Sequence, residues 1–178
     1  RAFVQEAIKL GESDLLKDDP KIAYKYSLGG GYRKSANWEP LGQVGFYGTF
    51  GPELSFAKSL KDNNVPNIVI AKFVHSGSQI IDWTPEGSMA KSRHIYPDFI
   101  RFVQETVSDL KAKGHPIRLA GIFYHLGEND MSFYPYRKMA AERIQSIIAR
   151  SRADLGQPEL KWYVSQQLPT DEKGVNRI

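Results

Sequence analysis

Apolar runs of strand length recur along this chain, and each ends in a cluster of small polar residues. The clearest begins at Ile117 and reads Ile-Arg-Leu-Ala-Gly-Ile-Phe before turning polar through Tyr124, His125, Leu126, Gly127, Glu128, Asn129 and Asp130. Its first half is β-prone, follows Gly114 and Pro116, and is too short for a long helix. That pattern predicts a strand over 117–123 buried on both faces. Residues 67–74 form a second run, ending in His75-Ser76-Gly77-Ser78-Gln79, and residues 160–164 a third, ending in Ser165-Gln166-Gln167.

Around these runs the apolar period changes to that of a helix. Leu54, Ala57 and Leu60 follow Gly51-Pro52-Glu53. Phe99, Val103, Val107 and Leu110 lie between Asp98 and Lys113, and Ala140, Ile144, Ile147 and Ile148 between Tyr136 and Ala153. Pro52 opens the first helix without losing a hydrogen bond, and Glu53 complements its dipole. Asn63, Asn64 and Pro66 stop that helix, Gly114 stops the second, and Gly156 with Pro158 stops the third.

The first fifty residues are less regular. Residues 2–10 predict a short helix with Phe3, Ala7 and Leu10 on one side, closed by Gly11, and 22–26 alternate as a strand. Gly29-Gly30-Gly31-Tyr32-Arg33-Lys34-Ser35 lacks both the strand-to-helix context and the Gly-Lys-Ser/Thr order of a phosphate loop, so a turn is expected. Trp38 and Pro40 fit an anchored loop. Helices alternating with buried strands predict an α/β fold, a three-layer α/β/α sandwich around a parallel sheet with right-handed crossovers. The polar strand ends should then gather along its carboxyl edge, where such folds build sites.

Composition narrows the function classes. At 178 residues the chain is one domain by size. Its net charge is +4, with a pI near 9.2, but Lys and Arg are scattered among the carboxylates without a run or an aromatic-interleaved stripe. This argues against a nucleic-acid partner. Nothing approaches the roughly 20 consecutive apolar residues of a membrane span. With no cysteine, disulfides and thiolate chemistry are excluded. The chain opens at Arg1 with no initiator Met, so an upstream segment is expected.

Two constellations could act at the polar edge. His75, His125, Glu128 and Asp130 could ligate a metal, but no His-x-x-x-His pair supports it. Ser76 or Ser78 with His125 and Asp130 could form a nucleophile set, yet neither serine sits in a Gly-x-Ser-x-Gly elbow. On spacing alone, His125 fits equally well as a hydrogen-bonded strand-end histidine, and Glu128 as a salt-bridge partner.

Gly127-Glu128-Asn129-Asp130 after an apolar strand resembles the third block of the SGNH (GDSL-type) hydrolases. Residues 40–168 further resemble the sialate O-acetylesterase-like carbohydrate esterases, through Gly51-Pro52-Glu53-Leu54-Ser55-Phe56-Ala57, residues 72–83 and Tyr124-His125-Leu126-Gly127-Glu128. That third block usually reads Trp-His/Tyr-Gln-Gly-Glu-x-Asp. Here Tyr124 stands for the Trp and Leu126 for the Gln, while Asn129 restores the plain Gly-x-Asn-Asp form.

The resemblance implies a flavodoxin-like SGNH hydrolase fold and removal of O-acetyl groups from sugars or polysaccharides through a serine acyl-enzyme, with a histidine base and an orienting aspartate. It implies no cofactor and no metal, an acetylated carbohydrate as partner and, from that substrate class, an extracellular or periplasmic location. It gives the oxyanion hole to the Gly51 amide and the Asn129 side chain. His125, Glu128, Ser76, Gly77 and Ser78 remain as substrate-binding candidates, with Glu128 and Asp130 also positioning the loop. It places the Gly-Gln-Ser-Asn-Met block before Arg1 and the Asp-x-x-His block after Ile178. The expectation is therefore a single domain over 1–178, incomplete at both ends, without its first strand, nucleophile, base and orienting acid, and unable to fold alone. The alternative is a carbohydrate-binding pseudoenzyme of the same fold.

Overall fold

The computed structural model describes residues 2–45, 49–90 and 93–165. It divides into two compact units, one reaching Val74 and the other starting at His75. The first contains β1 (Ala2–Phe3), α1 (Val4–Lys9), a 3₁₀ turn (Ser13–Leu16), β2 (Asp19–Leu28), β3 (Arg33–Lys34), β4 (Glu39–Leu41), β5 (Thr49–Phe50), α2 (Glu53–Asp62) and β6 (Val69–Val74).

Strand β2 is the backbone of this unit. Its alternation puts Ile22, Tyr24, Tyr26 and Leu28 into a core shared with Leu41, Val44, Leu54 and Ala57. It pairs antiparallel with β3 and β4 and parallel with β6, in a register running from Ala23 opposite Val69 to Leu28 opposite Val74. The sheet of this unit is thus mixed, which corrects the expected all-parallel arrangement, and chain connectivity gives the reason. Gly29, Gly30 and Gly31 all adopt positive φ and fold β2 straight back on itself, which forces an antiparallel neighbour. β6 instead returns through helix α2, the kind of crossover a parallel pair requires. Helix α1 is shorter than the spacing predicted, because Ala2 and Phe3 pair as β1 with β5 and, at the other end, Gly11 turns the chain at φ 75.

The second unit contains a 3₁₀ turn (Ile80–Trp83), α3 (Tyr96–Ala112), β7 (Ile122–Tyr124), α4 (Glu128–Met131), α5 (Tyr134–Asp154) and β8 (Trp162–Val164). β7 and β8 pair in parallel, Ile122 opposite Trp162 and Tyr124 opposite Val164. The run at 117–123 is not a strand buried on both faces: only its end is strand, and Phe123 is 57% exposed. Period-2 geometry explains the difference. Tyr124 points to the covered side, with ring centroids 6.2 Å from Trp83 and 5.9 Å from Trp162, while Phe123 points the other way and stacks on Tyr163 at 4.7 Å.

Helix α3 buries Phe99 and Leu110 as expected, but Thr106 takes a buried position while Val103 and Val107 are half-buried. In α5, Ala140 and Ile147 are buried as expected, with Arg143 and Ser151 completing the stripe beside a half-buried Ile144 and Ile148. Gln166 and Gln167 lie outside the described residues. Among the described residues, no helix is long and apolar enough to cross a membrane.

Candidate functional site

The site residues predicted from sequence fall into both units. In the first, Gly51 precedes helix α2. Its N–H donates to Glu53 Oε1 at 3.3 Å, and the same oxygen accepts from Lys72 Nζ at 2.6 Å and from the Tyr24 hydroxyl at 3.4 Å. Glu53 is buried, Lys72 is mostly so, and burial beside this carboxylate pushes the Tyr24 phenol well above its ordinary pKa. A side chain at Gly51 would run into the Glu53 carboxylate and come within 2.9 Å of Lys72 Nζ, so it would push the ends of both side chains away from this backbone. Sequence reasoning took Glu53 for a dipole complement and missed the knot. The available signal was Lys72, a lone cation inside the apolar run Val69-Ile70-Ala71-Lys72-Phe73-Val74.

In the second unit the polar turn after residue 74 and the Gly127 loop are tied together. Asn129, exposed on α4, donates from Nδ2 to the Ser78 carbonyl at 3.2 Å. Asp130, fully buried, accepts from the Ile80 N–H through Oδ1 and Oδ2 at 3.2 and 3.0 Å. Burial raises the Asp130 pKa, and the Ile80 N–H and the Arg143 charge only partly offset that rise. Ser78 is 1% exposed; its Oγ donates to the His75 carbonyl at 2.8 Å and accepts from Trp83 Nε1 at 2.9 Å. The Ser78 hydroxyl therefore supports the turn, whereas Ser76 and Gly77 remain on the surface. Asp82 caps the 3₁₀ turn by accepting from the Gln79 N–H at 2.8 Å. Arg93 donates to both the Gly77 carbonyl and the Asp82 carboxylate.

His125 leaves β7 exposed. Its Nδ1 is hydrogen-bonded to Ser165 Oγ at 2.8 Å, and its Nε2 lies 3.6 Å from Glu128 Oε1. Gly127 starts α4 at φ 138, a conformation closed to most L side chains, and this turn brings Asn129 and Asp130 round beside Ser78 and Ile80. Tyr124 is the departure from the usual tryptophan. Its hydroxyl is buried with no hydrogen-bond partner among the described residues, and burial with the nearby Asp130, Asp82 and Glu128 carboxylates holds it protonated.

What Asn129 offers chemically is a hydrogen-bond donor on the surface. The Asn129 amide has two protons, so the one given to Ser78 fixes its orientation and leaves the other to donate. Residues 33–177 match the model of a family described as carbohydrate esterase, sialic acid-specific acetylesterase. A crystal structure of a protein from Arabidopsis thaliana is similar over 85% of this chain and 58% of its own, with a TM-score of 0.60 and 20% sequence identity. This chain thus spans less than two thirds of that protein, and the likeness concerns the fold. No match was found among curated proteins. With four fifths of its length matched by the family model, the chain belongs to the carbohydrate esterase family of sialic acid-specific acetylesterases.

Proposed function

We propose that this chain forms part of an esterase that removes O-acetyl groups from acetylated sugars or polysaccharides through a serine acyl-enzyme, within a three-layer α/β/α fold. The observation that carries this reading is the way the Asn129 amide is held. It is fixed through Ser78 on a loop anchored by the buried Asp130, yet it stands exposed where a substrate oxygen can reach it.

In the reaction, a serine hydroxyl oxygen adds to the acetyl carbonyl carbon as its proton passes to a histidine, and the carbonyl electron pair moves onto oxygen. Asn129 Nδ2 donates to that oxyanion. When it collapses, the sugar oxygen leaves with the proton from the histidine. Water then adds to the acyl carbon by the same route, and acetate and the serine are released. We assign neither the nucleophile nor the base to a residue of this chain. Ser76, Gly77, His125 and Glu128 contact the sugar, while Ser78 and Asp130 hold the loop. The location we propose, from the substrate class, is extracellular or periplasmic.

The test is acetate release from O-acetylated monosaccharides and acetylated polysaccharide by the full-length natural protein, with sugar binding measured in parallel by calorimetry. Acetate release with turnover supports the esterase. Sugar binding without acetate release would instead identify a carbohydrate-binding pseudoenzyme.

A further inference from the structure

The Gly51 amide poses an electrostatic problem for an oxyanion donor. Its single proton points at a buried carboxylate, Glu53 Oε1, at 3.3 Å. An oxyanion bound to the same nitrogen at about 3 Å would lie within about 6 Å of that carboxylate, close enough for strong like-charge repulsion. A bare carboxylate here would both hold the donor and repel the charge the donor must receive.

Lys72 offsets this effect. Its Nζ lies 2.6 Å from the same Glu53 oxygen, a close charge-assisted contact, whereas the Gly51 contact is at the long end for a hydrogen bond. Glu53 is thus held mainly by the lysine and only loosely by the amide. Tyr24, fully buried and donating at 3.4 Å, is a third and weak holder. The absence of a Cβ at Gly51 is what allows all these groups to meet.

We infer that Lys72 is a positioning residue for deacetylation, which by neutralising Glu53 frees the Gly51 N–H to donate to the oxyanion. This rests on the oxyanion assignment of Gly51. Lys72 acts through Glu53 and touches no substrate. Without the lysine, Glu53 tightens on the Gly51 amide and opposes the transition-state charge. Its effect falls on kcat and not on KM, because the neutral ground-state ester carries little charge to repel.

The experiment uses the full-length natural protein and its K72M, K72R and E53Q/K72M variants, with thermal melts confirming that each is folded. K72M is expected to lower kcat for acetate release by about 10- to 100-fold with KM nearly unchanged, as loss of one unit of local charge compensation predicts. K72R should keep most of the rate, and E53Q/K72M should regain most of it, because the uncharged amide no longer repels. In ¹⁵N-labelled protein the Gly51 amide proton should move downfield in K72M and return in E53Q/K72M, a readout that needs no turnover.

A K72M enzyme with unchanged kcat, or a folded double variant as slow as K72M, would overturn the inference. If K72M does not fold, the double variant decides, since it buries no charge: a loss of about 10-fold or more in kcat would then overturn it. Failure of the esterase reading has a different signature, the absence of acetate release by the unmodified protein.

Discussion

Asp130 and His125 stand five residues apart and carry opposite expectations. Asp130 is a buried acid whose pKa is raised chiefly by desolvation. Its unfolded value is the ordinary 3.8, so its contribution to stability is full below that value and is lost as pH rises through the higher folded value. Asp130→Asn keeps an acceptor for the Ile80 N–H but does not titrate. The stability of the unmodified protein relative to this variant should therefore fall as pH climbs from below 3.8 towards neutrality, as thermal melts across that range would record. A difference that stays flat or grows would contradict the burial account. His125 is exposed and bonded to Ser165, and the role we propose for it is a substrate contact and not the base. His125→Ala should leave an acyl-enzyme burst with an activated acetate ester, measured by stopped flow, while a lost burst in a folded variant would make it the base. At this scale the loop-positioning role of Asp130 came only with the family resemblance, since the residues alone also offered it as a metal ligand or as the acid of a nucleophile set. The partners of Glu53 were not legible, because Lys72 and Tyr24 reach it from distant positions in the chain.

Helices α2, α3 and α5 were legible almost to their ends, because eight or more residues of 3.6-period pattern are closed by Asn63, by Gly114 or by Gly156. Strands were less so. The run at 117–123 has the composition of a buried strand but keeps only its last residues as β7, because pairing with β8 begins at Ile122. Composition reports what a stretch could bury, and only the partner decides how much it does bury. The short α4 depends on one backbone angle. Gly127→Ala forces a Cβ into φ 138 and should cost about 1–3 kcal/mol, read as a lowered denaturation midpoint. It should also reduce acetate release beyond what the stability loss explains, since Asn129 and Asp130 take their direction from this turn. Wild-type rates in a folded Gly127→Ala protein would detach the turn from the site.

At the scale of the whole molecule, the α/β class followed from the alternation of periods, but the sheet order did not. The glycine turn at 29–31 makes β2 and β3 an antiparallel pair, while the α2 crossover makes β2 and β6 parallel. Hydrophobic pattern is blind to strand direction, so both arrangements looked alike in the sequence. The family, by contrast, was legible from three short blocks in order, which can be read without knowing how the strands pair. The central claim is that the Asn129 amide stabilises an oxyanion during deacetylation. Its most direct test is the rate of acetate release from an O-acetylated sugar by the full-length protein and by its Asn129→Ala variant, with matched melting curves. The expected result is a loss of about 100- to 1000-fold in kcat with little change in KM. An Asn129→Ala enzyme that releases acetate at the unmodified rate would contradict it.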